Sequence, residues 1–240
     1  MNTPIPPLIS IVTVCYNAVR DLEPTIQSVL NQTYPNIEYI IIDGGSTDGT
    51  INIIHKYQKR LTYWISEPDK GIYDAMNKGI KHAQGEWISF MNAGDLFYNN
   101  QVITNVFNNS IPQNIKVIYG DHIKKNGYYK KIIHSRSTNC FYKQLPFCHQ
   151  SAFLKNDGYT YDINYRIAAD YDLFRSIYAQ NGPSSYKKLK LIISIFDATG
   201  ISTTNEQLLR KEYSAIYRKY KDYYFYYDYI KEHLKRIFST

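Results

Sequence analysis

Cysteine is scarce in this chain: three residues in 240, at Cys15, Cys140 and Cys148. So small and odd a number excludes a disulfide-stapled scaffold. No apolar run approaches the ~20 residues that cross a bilayer. The opening MNTPIPPLIS lacks the basic and then apolar pattern of a secretory signal. The expected compartment is therefore the reducing cytoplasm. Several enzyme signatures are missing too. There is no GxxxxGK(S/T) phosphate loop, GxGxxG turn, HExxH helix, GxSxG elbow or paired CxxC. The common ATPase, dehydrogenase, zincin and α/β-hydrolase readings thus have no support.

What is present describes a globular domain. Hydrophobic residues make up 44% and charged residues 20%, enough apolar surface to offset the ordering entropy that keeps polar chains unfolded. Lys and Arg number 28 against 21 Asp and Glu, a net charge of +7. That points to an anionic partner without choosing among nucleic acid, a membrane surface and phosphorylated ligands. No recognisable nucleic-acid motif accompanies the charge, so nucleic acid is not the expected partner. The 25 tyrosines matter mainly for their clustering near the C-terminus.

The first 120 or so residues alternate between strand-like and helix-like runs. Leu8–Val14, Ile37–Ile42, Thr62–Ser66 and Glu86–Met91 read as strands. Between them Leu22, Ile26, Val29 and Leu30 recur at helical spacing, a second pattern runs to Tyr57, and Gly71–Gln84 reads as a third helix. Such alternation predicts βαβ units, a parallel sheet covered on both faces, and ligand binding at the carboxyl ends of its strands. From about residue 115 the alternation weakens. Val117–Tyr119, Tyr128–His134, Gln150–Leu154 and Leu189–Phe196 read as further strands of the same sheet, with a helix from Asp170 to Gln180. The tail differs again. Leu209, Tyr213, Ile216, Tyr220, Tyr223, Tyr227, Ile230, Leu234 and Ile237 follow a 4-3 spacing, which predicts an amphipathic helix, or two in series, from Asn205. The expected organisation is a domain over 1–204 and a helical tail over 205–240.

Candidate chemistry lies in acids at strand ends. Asp43 closes the second strand before a glycine-rich turn, where it could accept a hydrogen bond from a ligand or simply organise the turn. Asp95 closes Asn92-Ala93-Gly94-Asp95 after the fourth strand. A carboxylate there suits a divalent cation bound to a diphosphate, although the position taken alone fits an ordinary turn better. Lys70, in Glu67-Pro68-Asp69-Lys70-Gly71, could reach a phosphate or remain solvated. Asp170 and Asp172 fall in the first turn of a helix, where acids commonly act as caps. Cys140, Cys148 and His149 are too few and too irregular for a zinc site.

Taken together, in order, these segments resemble glycosyltransferase family 2. The matching pieces are Ile11–Asn17, Ile42–Thr50, Ser66–Gly79, Phe90–Asp95, His149–Ser151 and Ala169–Leu173, with Gly200–Asn205 as a late match. The closest likeness is to the colanic-acid-type subgroup that builds surface polysaccharide. The resemblance implies the GT-A fold, a Rossmann-like, mostly parallel sheet flanked by helices, and an inverting transfer from a nucleotide sugar. It implies that Thr13 and Tyr16 line the nucleotide pocket and that Asp43 binds the base, typically uracil. Asp69 and Lys70 would lie beside the donor. His149 and Gln150 would lie near the sugar or acceptor, Asp95 would hold Mn²⁺ or Mg²⁺, and Asp170 would be the catalytic base. Relatives often carry two acids at the metal motif where this chain has one. The implied acceptor is a glycan on a polyprenyl diphosphate. The basic, tyrosine-rich tail then suits an anionic membrane surface, packing on the domain, or a homodimer. Two other readings share the architecture: a sugar nucleotidyltransferase and a non-catalytic carbohydrate-binding or assembly protein.

Overall fold

The structure is a computed structural model and describes residues 6–198 and 205–222. It begins with the expected alternation: β1 (Ile9–Cys15), α1 (Leu22–Leu30), β2 (Ile37–Asp43), α2 (Thr50–Tyr57), β3 (Tyr63–Ser66), α3 (Ile72–His82) and β4 (Trp87–Phe90). β2 and β4 flank β1, β3 lies outside β2, and all three pairings are parallel. Every residue of β1 is buried, because helices cover both faces of the sheet. Val12 and Val14 enter one core with Ile40, Ile42, Met76 and Phe90. Ile9, Ile11 and Cys15 enter the other with Leu22, Ile26, Val29 and Ile54. Burial on both sides explains why these strands read as continuous apolar runs rather than alternating ones.

The remaining elements are β5 (Leu96–Phe97), α4 (Val102–Val106), β6 (Val117–Asn126), β7 (Tyr129–Ile133), β8 (Ala152–Lys155), α5 (Ala169–Asn181), β9 (Tyr186–Asp197) and α6 (Glu206–Lys219). Among the described residues one nine-stranded sheet runs β3-β2-β1-β4-β8-β6-β9-β5, with β7 paired to β6. β8 is antiparallel to both β4 and β6, while β6 and β9 run parallel. The sheet is thus parallel in its first half and mixed beyond β4. β6 continues well past Tyr119 because its distal half gains partners on both sides, β7 and β9. β5 and α4 had no counterpart in the sequence reading; runs of two and five residues are too short to show a period.

The tail helix starts where expected. Asn205 caps it, its side-chain oxygen accepting from the Leu208 N–H at 3.1 Å. Its apolar stripe meets the domain: Ile216 and Tyr217 are buried, and Leu209, Tyr213 and Tyr220 pack at the edge of the same core. The Arg175–Asp222 ion pair at 2.6 Å and the Lys219–Asp172 pair at 2.8 Å tie this end to α5. Tyr223, Tyr227, Ile230, Leu234, Ile237 and the 200–204 segment lie outside the described residues. No helix among the described residues is long and apolar enough to cross a membrane.

Candidate active site

The carboxyl ends of β1 and β4 open onto a cleft of about 680 Å³. Two loops build one wall. After Cys15 the chain turns through Tyr16 and Asn17, leaving the Tyr16 ring 66% exposed at the rim. After β4 it turns through Asn92-Ala93-Gly94-Asp95, where Gly94 adopts φ 98°, a conformation that suits glycine. This reversal returns Asp95 into the cleft at only 4% exposure. Its Oδ1 accepts the Asp197 N–H at 3.0 Å, and the Gln150 side chain donates to it as well. Burial pushes the Asp95 carboxyl up to about 7, and the charge of Asp197 acts in the same direction.

The opposite wall is the start of α5. Asp170 lines the cleft there. Its Oδ1 accepts the Tyr171 N–H at 2.8 Å and lies 3.2 Å from the Tyr73 hydroxyl, which also donates to the Ile167 carbonyl at 2.6 Å. Burial pushes Asp170 up to about 6. The segment before α5 is held from α6. Glu212, itself buried, accepts the N–H of Arg166 at 2.7 Å and those of Ile167 and Ala168 at 2.9 Å each. A carboxylate from the tail helix thus satisfies three backbone donors directly in front of Asp170.

The lining is strongly acidic. Asp21, Asp95, Asp170 and Asp197 face it, with Arg166 as the basic side chain among the described residues. A cleft of this kind favours cations and repels a bare diphosphate. The Asn92 Oδ1 is buried on this lining without a hydrogen-bond partner among the described residues. Beside Asp95 it gives a pair of hard oxygen donors, the kind Mg²⁺ and Mn²⁺ take. No group of three or more His, Cys, Asp or Glu side chains among the described residues could hold a metal ion by itself. The donors present therefore fit an ion whose remaining ligands come from a substrate's phosphates.

Of the residues singled out in the sequence, Tyr16, Asp95, His149, Gln150 and Asp170 meet on this cleft. His149 is a buried neutral imidazole. Desolvation pushes it down to about 4, and its Nε2 lies 2.7 Å from the Tyr161 hydroxyl. Four others sit elsewhere. Thr13 points into the interior between α1 and the sheet, where its hydroxyl donates to the Met91 carbonyl at 2.8 Å and meets the Tyr39 hydroxyl at 3.0 Å. Strand alternation accounts for this, since Thr13 shares a face with Ile11 and Cys15. Asp43 is fully buried one strand behind Cys15. Its carboxylate accepts the Gly45 and Ser46 N–H groups at 3.1 and 2.9 Å and the Ser66 hydroxyl at 2.6 Å. It organises the turn. Asp69 lies over Gly44, where any Cβ would collide with its carboxylate and come within 3.4 Å of the Tyr16 ring. Lys70 is exposed, its backbone N–H bound to Asp74. Asp172, in the same first turn as Asp170, is 5% exposed and paired with Lys219.

Sequence reasoning did not select Asp21, Tyr73, Arg166 or Asp197 for the cleft. Tyr73 lies within the Ser66–Gly79 segment that carries the family resemblance. Arg166 sits in an irregular stretch that carries no periodic signal.

The Glycosyl transferase family 2 profile matches residues 10–168. A PGL/p-HBAD biosynthesis glycosyltransferase of Mycobacterium bovis is 30% identical over 183 residues, covering 69% of this chain and 68% of the relative. An uncharacterised glycosyltransferase of Mycobacterium tuberculosis is 41% identical over 98 residues, 40% of this chain and 37% of that one. The putative teichuronic acid biosynthesis glycosyltransferase TuaG of Bacillus subtilis is 40% identical over 92 residues, 37% of this chain and 36% of the relative. Matches to the latter two therefore span just over a third of their length. Among solved structures, Staphylococcus aureus TarS 1-349 with UDP-GlcNAc superposes at a TM-score of 0.67 and 15% identity, over 88% of this chain and 64% of that fragment. A mannosyltransferase of Pyrobaculum calidifontis with GDP-Man and Mn²⁺ superposes at 0.62 and 16% identity, over 80% of this chain and 57% of that one. At such identity the likeness shows a shared fold.

Proposed function

The chain belongs to glycosyltransferase family 2 and has the GT-A fold; from that premise we propose that it moves a sugar, with inversion, from a nucleoside diphosphate sugar to a hydroxyl of a surface-glycan acceptor. The favoured donor is a UDP-sugar of the hexose or N-acetylhexosamine class. The acceptor is a glycan on a polyprenyl diphosphate, as in the assembly of colanic-acid-type polysaccharides. The observation that carries the reading is the meeting of Asp95 and Asp170, 75 positions apart in sequence, on the walls of one cleft.

Asp170 takes the proton of the acceptor hydroxyl as that oxygen attacks the anomeric carbon. The bond from that carbon to the diphosphate oxygen breaks, and the nucleoside diphosphate leaves. A carboxylate held near pH 6 is mostly ionised at neutral pH yet more basic than a solvated one, and general-base help of this kind contributes ~10²–10⁴-fold. Tyr73 orients the Asp170 carboxylate from α3. Asp95 and the Asn92 amide oxygen would hold a divalent cation, which when bound offsets charge gathering on the departing diphosphate. Arg166 supplies a further positive charge on the cleft. Tyr16 and Asp69, which come together over Gly44, are the groups that would receive the base, next to the Asp43 turn. His149, neutral and buried, serves with Gln150 as a wall for the sugar and acceptor.

The test is Asp170→Asn, assayed for transfer and for UDP binding. Transfer falls at least ~100-fold while UDP binds as before. Turnover near that of the parent rejects the assignment of the base. Release of inorganic diphosphate in place of nucleoside diphosphate would make the protein a nucleotidyltransferase.

A further inference from the structure

Between Asp121 and Arg136 the chain carries five basic side chains and one acid. β6 and β7 fold this stretch into an antiparallel hairpin that turns at Gly127 and Tyr128. The register sets Lys124 opposite Lys131 and Lys125 opposite Lys130. Like charges directly opposed across a ladder destabilise it, and among the described residues an acid offsets one of the four, Asp197 lying 3.5 Å from Lys125. The tip is aromatic and open: Tyr128 is 103% exposed and Tyr129 86%, with Ile132 behind them at 48%.

Lysine on an edge strand can serve only to block unwanted pairing. That would account for Lys130 and Lys131 on β7. It does not account for Lys124 and Lys125 on β6, which is paired on both sides. Nor does it account for two tyrosines at the tip that bury almost nothing. Rows of cations below an exposed aromatic tip match one environment closely, a leaflet of anionic phospholipid. Tyrosine settles at the headgroup level there, and lysine is drawn to the negative surface. The hairpin also grows out of the cleft wall. Lys124 and Lys125 stand in register with Phe196 and Asp197 of β9, both of which line the cleft.

We propose that the β6–β7 hairpin is a docking finger that seats the protein on an anionic phospholipid surface and holds the mouth of the cleft beside it. This deepens the proposed transfer to a lipid-carried acceptor by naming the surface where the cleft would meet it. Its evidence is a binding measurement that needs neither donor nor acceptor, so the two readings can fail separately.

The experiment is flotation of the full chain with phosphatidylglycerol vesicles and with phosphatidylcholine vesicles. Two variants are compared: a triple Lys124→Gln, Lys130→Gln, Lys131→Gln form, which leaves the Lys125–Asp197 pair intact, and a Tyr128→Ser, Tyr129→Ser form. Circular dichroism checks that both fold. The parent is expected to float with phosphatidylglycerol and not with phosphatidylcholine. The triple variant should bind ~100-fold more weakly, roughly fivefold per lysine. The tyrosine variant should lose the fraction that resists high salt. Donor hydrolysis stays at the parent level in both. Parental affinity in the triple variant overturns the proposal, because the basic tail is unchanged in it. Binding of the parent to duplex DNA but not to phosphatidylglycerol also overturns it, in favour of nucleic acid. Vesicle binding as described with no nucleoside diphosphate formed from any donor would instead count against the transferase reading and leave the finger standing.

Discussion

Asp170→Asn should make the protein more stable at pH 8 while it abolishes transfer. The Asp170 carboxyl rises from an ordinary 3.8 to about 6 on folding, chiefly through burial. A raised carboxyl binds its proton more tightly in the folded state than in the unfolded one. Folding is therefore favoured most below pH 4, and that advantage is lost as pH rises through about 6. A shift of this size corresponds to about 2–3 kcal/mol at ~1.4 kcal/mol per unit. Asparagine has no charge to desolvate and keeps the Oδ1 that accepts the Tyr171 N–H and faces Tyr73. The variant should escape the loss. At ~2–4 °C per kcal/mol for a chain of this length, the gain at pH 8 is about 6 °C in Tm. At pH 4 the two proteins should melt together. The assay is thermal unfolding of both from pH 4 to 8, beside urea unfolding at each end. Equal stability at pH 8, or a gain of the same size at pH 4, would refute the reasoning, since neither follows from relieving a buried charge.

The anchor in front of Asp170 can be removed alone. Glu212→Ala leaves the N–H groups of Arg166, Ile167 and Ala168 without their acceptor and should cost about 3–5 kcal/mol, read as a lower urea midpoint. Glu212→Gln should recover only part, because one of its two terminal atoms is a donor; a loss below ~1 kcal/mol for alanine would show that α6 is not an anchor. At the other wall, Asn92→Asp restores a second acid beside Asp95. Mn²⁺ affinity in the presence of UDP, followed by titration calorimetry, should rise ~10-fold, in line with the effect of adding or removing ligand-sphere groups. Unchanged affinity would mean that the Asn92 oxygen does not face the ion.

The local pattern settled much of this protein. Apolar, β-branched runs separated by helical periods specify β1 to β4 with their helices, because burial on both faces leaves its record in consecutive residues. The stripe from Leu209 to Tyr220 likewise announced α6, and polar turns after each strand placed Asp43 and Asp95 on one sheet edge. Asp43 shows the limit. Its neighbours in sequence were equally compatible with a ligand contact and with a turn, and only the folded loop shows its carboxylate taken up by Gly45, Ser46 and Ser66. Thr13 needed the facing of β1, and Arg166 the path of an irregular loop. The lysine pairs of the hairpin needed a register that no single strand encodes. Asp170 reaches Asp95's cleft because β8 inserts antiparallel between β4 and β6 and Glu212 fixes the start of α5 from a helix more than forty residues further on. Periodicity reports how each segment is buried against its surroundings. Which segments become those surroundings depends on strand order and non-local hydrogen bonds, and through them on the desolvation that raises Asp95 and Asp170.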